Sequence, residues 1–165
     1  IDALKGVLAI ALAPWLFSFA TGQNLLPPTV SPTLWLPWMV TFCGLAVVLG
    51  HSKSIWLGFS GGKSVATSLG VLLAMNWQVA LATVGVFGIV VAISRIVSLS
   101  SIAGAIAVPV LMLLFHQPLP YVLFGLVGGM YVVLRHKSNI DRLLAGTEPR
   151  LGQKTSPSES VVSEQ

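Results

Sequence analysis

GHSKSIWLGFSGGKSVATSLGVLLAM, running from Gly50 to Met75, decides how the rest of the chain is read. Its first half, His51 to Lys63, is a Gly/Ser/Lys loop. Its second half, Ser64 to Met75, is apolar but only twelve residues long. As a helix it reaches roughly 18 Å, against the ~30 Å of a bilayer's hydrocarbon core. Half-length elements at membrane depth are tolerated only where protein buries them or where they line a cavity. The stretch therefore marks a place where something is bound, provided that the chain is a membrane protein.

Composition supplies that condition. Of 165 residues, 55% are hydrophobic and only 8% charged, and the mean hydropathy is +0.87. A soluble domain carries roughly 25% charged residues. So few charges cannot coat a water-soluble globule. The net charge of +4 sits at the ends of apolar runs. There it reports membrane orientation and an affinity for anionic lipid or substrate, not for nucleic acid. Cys43 is the lone cysteine, so no intrachain disulfide forms, and no Cys/His metal spacing is present. The sequence opens on Ile1, with no signal-peptide cleavage pattern, and is expected to be cut at that end.

Outward from the short stretch, apolar runs read as spanning helices over Leu4–Ala20, Trp35–Gly50, Gln78–Ile93, Ile102–Phe115 and Tyr121–Leu134. With Ser64–Met75 they make about six transmembrane segments, one of them short, in an all-α polytopic membrane protein. Residues 1–148 form the membrane domain, and 149–165 a polar tail expected to be disordered. If Arg135, Lys137, Arg142, Arg150 and Lys154 are cytoplasmic, walking backwards also puts Arg95, Lys63, Lys53 and Lys5 on the inside. All nine Lys and Arg then share one face, and the uncharged, Pro-rich 21–34 stretch lies outside. This topology counts the short segment as a crossing.

Three constellations on that face could carry chemistry. Gly61-Gly62-Lys63-Ser64 invites a phosphate-loop reading, but the nucleotide-binding pattern requires glycine at position 57, where Leu57 stands. An ATPase is thereby disfavoured, while the physics survives. Glycines let backbone N–H groups approach an anion, a helix starting near Lys63 offers its positive end, and the lysine adds a point charge. Ser98, Ser100 and Ser101 can cap the next helix and donate to an anion. His136, Asn139 and Arg142 are spaced three apart, so a helix puts them on one face. Asp2 and Lys5 share that spacing at a helix start. A plain positive-inside exit helix explains the last constellation equally well on spacing alone. A small anion transporter is disfavoured because the apolar runs carry few polar residues at mid-depth.

Together these residues resemble a known family. Gly50-His51 followed by Gly58-Phe59-x-Gly61-Gly62-Lys63-x-Val65-Ala66-Thr67 is similar to the second signature of the PlsY-type glycerol-3-phosphate acyltransferases. His136-x-x-Asn139-Ile140-x-Arg142-Leu143-Leu144-x-Gly146-x-Glu148 is similar to the third, and Asp2-x-x-Lys5-Gly6 and Ser98-Leu99-x-Ser101-Ile102 match further positions. The resemblance implies a seven-helix enzyme of the bacterial inner membrane with a cytoplasmic active face. Such enzymes move an acyl group from acyl-phosphate to the 1-hydroxyl of glycerol 3-phosphate, giving lysophosphatidic acid and phosphate, without cofactor, metal or nucleic acid. Carried over, His136 and Asn139 are catalytic. Gly61, Gly62, Lys63, Ser101, Arg142 and Glu148 bind substrate, and Asp2, Lys5 and His51 play secondary parts.

The departures set expectations too. The family's first signature, a Ser-Gly-Asn-x-Gly-Ala-Thr-Asn loop, has no match, and its helix would precede Ile1. Ser60, Ser64 and Lys137 replace the usual Lys, Gly and Arg, and 53–55 lacks the usual Pro. The 165-residue chain by itself is expected to be inactive, and a non-enzymatic membrane paralogue that keeps the anion site is the alternative.

Overall fold

A computed structural model describes residues 2–27, 29–52 and 62–153. Lys53, Gly58, Gly61 and Lys154 fall outside them. The described residues form seven helices and no strand: α1 Asp2–Gly22, α2 Pro32–Ser52, α3 Val65–Met75, α4 Trp77–Ser94, α5 Val97–Leu114, α6 Leu119–Arg135 and α7 Lys137–Leu144. Four of them (α1, α2, α4 and α5) are long and apolar enough to cross a membrane, and α6 with α7 makes a fifth if the bent pair is one span. Large apolar side chains such as Trp15, Phe42, Ile89, Leu113 and Met130 point outward. Their number accords with a lipid-facing surface.

The helices close into a ring. α1 packs on α2, α2 on α6, α6 on α5, α5 on α4, α4 on α3, and α3 back on α1. The buried core takes one or two residues from each: Ile10, Val40, Val48, Val71, Leu72, Val79, Val108, Met112 and Phe124. The short helix is the best-enclosed element. Thr67 and Val71 are fully buried, as the rule on half-length elements requires.

Two devices seat α3. The first is a pair of glycines. A Cβ on Gly70 would stand 1.9 Å from the Ala3 carbonyl oxygen, and one on Gly6 would stand 2.5 Å from that of Thr67. Only glycine lets the α1 and α3 backbones touch there. The second is a hydroxyl clasp at the start of α3. Ser64 Oγ donates to the Val48 carbonyl at 2.9 Å and accepts from the Ser52 hydroxyl, whose oxygen also lies 3.3 Å from the Gly62 carbonyl. Ser64 stands at φ 59°, in the left-handed region. The clasp fastens α3 four residues inside the end of α2, so an eleven-residue helix starts well below that end. Asn76 then closes α3 and starts α4, its side chain accepting from the Val79 amide.

Helix ends fall within three residues of the sequence reading except at the start of α5. α5 begins at Val97 rather than Ile102, because its serines sit inside the helix. Ser100 and Ser101 donate to the carbonyls of Ile96 and Val97 one turn back. They do not cap it; Ile96 holds that position without a side-chain bond. Just after the apolar run ends, the chain bends by 61° at His136, where the His136 amide takes the tighter bond to the Val133 carbonyl.

Gly70→Ala should cost roughly 1–3 kcal/mol or more, because a methyl group is forced into backbone. Gly88→Ala should be neutral or stabilising, since nothing lies within 4 Å of its added carbon. Thermal unfolding in one detergent compares the two.

Candidate active site

α3, α4, α5 and α6 enclose a cavity of about 870 Å³. One end is polar, with Lys63, Ser98, Ser101, His136, Asn139, Arg142, Glu148 and Arg150 on its wall. The remainder is lined by Leu69, Leu72, Val84, Phe87, Val108 and Phe124, together with glycines of α5 and α6. The polar end lies where α4 and α6 finish and α5 begins.

Glu148 organises that end. Its Oε1 accepts from Ser98 Oγ and from Asn139 Nδ2, both at 2.6 Å, and its Oε2 accepts from Arg142 Nε at 2.7 Å. Removal from water works to raise its pKa. The hydrogen bonds from Ser98, Asn139 and Arg142, together with the Arg142 charge, outweigh this and hold the carboxyl at about 2, below its ordinary 4.5. One anion thus joins the start of α5 to one face of α7. Of that face, His136 and Asn139 are buried and Arg142 is half exposed, so the three-residue spacing does bring all three to one wall.

His136 lies just beyond the end of α6 and is almost wholly buried. Its Nδ1 donates to the Val132 carbonyl at 2.8 Å. A carbonyl can only accept, so in the neutral ring Nε2 keeps a free lone pair. Burial pushes the imidazole below its ordinary 6.5, the Val132 bond and the Glu148 charge act the other way, and the Lys63 charge adds to the lowering. The ring is neutral at pH 7. Asn139 contributes a second free acceptor: its amide nitrogen is spent on Glu148, and its buried Oδ1 has no partner. A neutral imidazole and a free amide oxygen suit the hydroxyls of a small polyol. Neither Lys63 nor Arg150 has a carboxylate partner among the described residues, so both charges stand ready for an anion.

The predicted residues do not all converge. Asp2, Lys5, His51 and Gly62 line a second, smaller cavity of about 410 Å³, with Thr67 at its wall. There Lys5 pairs with Asp2 at 3.0 Å, and His51 Nδ1 stands 3.8 Å from the same carboxylate. Gly62 faces this cavity and the adjacent Lys63 faces the larger one, so the glycine-lysine pair parts the two. Gly61 lies outside the described residues. Ser98 was not among the predicted site residues, although its motif was recognised. Only the fold shows that, of the three serines, Ser98 alone reaches the carboxylate 50 residues away. Arg150, read from sequence as an orientation signal, stands on the cavity wall. It is brought there because the Leu151 amide donates to the Arg95 carbonyl at 2.7 Å.

Apolar helices around a cavity that is charged at one end and oily along its length define an integral membrane protein shaped to hold an amphiphile. The chain belongs to the glycerol-3-phosphate acyltransferase family, whose sequence model matches residues 1–146. It is 72% identical over 154 residues to the glycerol-3-phosphate acyltransferase of Trichormus variabilis, covering 93% of this chain and 68% of the relative. It is 56% identical to that of Acaryochloris marina over the same shares. Among solved structures it is similar to the lysophosphatidic acid form of PlsY (YgiH), an integral membrane glycerol 3-phosphate acyltransferase, with a TM-score of 0.77 and 36% identity over 92% of this chain and 69% of that one. For the glycerol 3-phosphate form the TM-score is 0.68 and the identity 38%, over 78% and 61%. The chain thus spans about two thirds of the length of these relatives.

Glu148 is held below its ordinary pKa, so its contribution to stability is present above pH 4.5 and is lost as the pH falls towards 2. In Glu148→Gln that loss should disappear. Unfolding midpoints of the two proteins should differ most at neutral pH and converge in acid.

Proposed function

We propose that the protein transfers an acyl group from acyl-phosphate to the 1-hydroxyl of glycerol 3-phosphate. The observation that carries this is the larger cavity, with a neutral His136 and a free Asn139 oxygen at its charged end and an apolar body behind them. Family membership supports the same reaction. The acyl chain occupies the apolar body, and the glycerol hydroxyls meet His136 and Asn139. Phosphate oxygens are neutralised by Lys63 and Arg150, helped by the exposed side of Arg142.

The chemistry is undemanding because phosphate is already a good leaving group. The hydroxyl oxygen attacks the acyl carbon, the carbon–oxygen bond to phosphate breaks, and phosphate departs with that electron pair. His136 Nε2 takes the hydroxyl proton and passes it on to the phosphate. Holding two anions in register and offsetting their charge does most of the rest. Glu148 acts through others by fixing Asn139 and Arg142. Ser101 lines the cavity, and its oxygen keeps acceptor capacity while it donates to Val97.

The active end faces the cytoplasm of a bacterial inner membrane. In support, Lys63, Arg142 and Arg150 ring the mouth, the Arg95 carbonyl holds the segment after Glu148, and Arg135 Nη2 approaches the Gly62 carbonyl at 3.4 Å. Inner-leaflet lipid is also where such a product would be released.

The test is release of phosphate and formation of lysophosphatidic acid by the purified full-length protein, given palmitoyl-phosphate and glycerol 3-phosphate. Turnover is expected, and none would overturn the proposal. His136→Ala should lower kcat by about 10²–10⁴. His136→Gln, which can accept a hydrogen bond but takes no proton, should fall nearly as far. If it keeps activity within ten-fold, the substrate's own phosphate is the base. Protonation of a group whose pKa is lowered abolishes the base only in acid, so the acid limb of kcat/KM should lie below pH 6.5.

A further inference from the structure

Four glycines line the apolar body of the cavity: Gly104 on α5, and Gly125, Gly128 and Gly129 on α6. Packing explains two of them. A Cβ on Gly129 would lie 2.6 Å from the Ala105 carbonyl oxygen, and one on Gly125 would lie 3.1 Å from Val108 and 3.2 Å from the Pro109 backbone. These two let α5 and α6 touch. Packing does not explain the others. A Cβ on Gly104 would meet nothing nearer than Thr83 Cγ2 at 3.5 Å, and one on Gly128 nothing nearer than Phe124 Cζ at 3.7 Å. Both distances are ordinary contacts. Neither residue has a positive φ that would call for glycine. Alanine would fit at both places, and the helix would favour it. What glycine leaves there is room.

Resting on the acyltransferase reading, we propose that Gly104 and Gly128 determine which acyl-chain lengths the enzyme accepts. Their depths differ. Gly128 is eight residues before His136, about 12 Å further in, and Gly104, beside the Ala105 that touches Gly129, lies about 3 Å short of that depth. A chain entering from the polar end passes Gly104 first and reaches Gly128 later. Bulk at either glycine therefore stops long chains, and bulk at Gly104 stops them slightly sooner.

The experiment compares Gly104→Leu and Gly128→Leu with the parent, as purified full-length protein, on saturated acyl-phosphates from short to long. The readout is the ratio of kcat/KM for long over short donors. Each methylene kept out of the cavity costs about four-fold, so two or three should lower the ratio for Gly128→Leu by ten-fold or more. Gly104→Leu should move the cutoff to still shorter chains. Gly104→Ala and Gly128→Ala should shift it the same way by less, with an unfolding temperature at or above the parent's; they decide the matter if a leucine variant does not fold. A parental chain-length profile in stably folded variants would overturn the proposal, and so would an equal loss for every donor. If the parent itself transfers no acyl group, the acyltransferase reading has failed and this inference falls with it.

Discussion

The structure depends on the requirement that a backbone in hydrocarbon satisfy its own polar groups. α3 is too short to cross by itself and meets the requirement by being enclosed. Gly6 and Gly70 let its backbone lie against α1, and the Ser52–Ser64 clasp fixes its start inside the end of α2. Once that start is sunk into the protein, the residues just ahead of it, Gly62 and Lys63, stand at the boundary of two cavities. The charged end of the larger cavity follows from where α3 begins.

A second anchor sits opposite. Glu148 takes three hydrogen bonds from α5 and α7 and so sets the orientation of Asn139 and Arg142. One buried carboxylate with three donors is an economical way to hold a polar wall, because each donor removes a competing conformation of the others. It also spares the rest of the wall. Lys63 and Arg150 are left without a carboxylate partner among the described residues, and His136 keeps a bare nitrogen, because Glu148 bonds neither the imidazole nor those two cations.

Much of this was legible in the sequence. Low charge and long apolar runs sufficed for a helical membrane protein, and Ser64–Met75 could be identified as the anomalous element by length alone. The spacing of His136, Asn139 and Arg142 placed them on one face, which α7 provides. The residues of Asp2-x-x-Lys5 and His51 do meet each other, but in a neighbouring cavity, since spacing along one helix says nothing about which space that helix faces. The start of α5 was missed because serine reads equally as a cap or as an interior residue bonded one turn back. Which of the three serines reaches the site was not legible, because the partner of Ser98 lies 50 residues away. The bend at His136 has no glycine or proline to announce it.

That long separation bears on how the protein is made. Ribosomes deliver a chain from its N-terminus, and helices enter the membrane as they emerge. Ser98 is therefore in place well before the carboxylate it will bind, and the Arg95 carbonyl waits as long for the Leu151 amide. Glu148 comes after all seven of the described helices. Until then the nascent protein holds its cations at the bilayer surface without the anion that orders them. The site is completed only once Glu148 has emerged, so a shorter nascent chain presents a bundle of helices but no assembled binding wall.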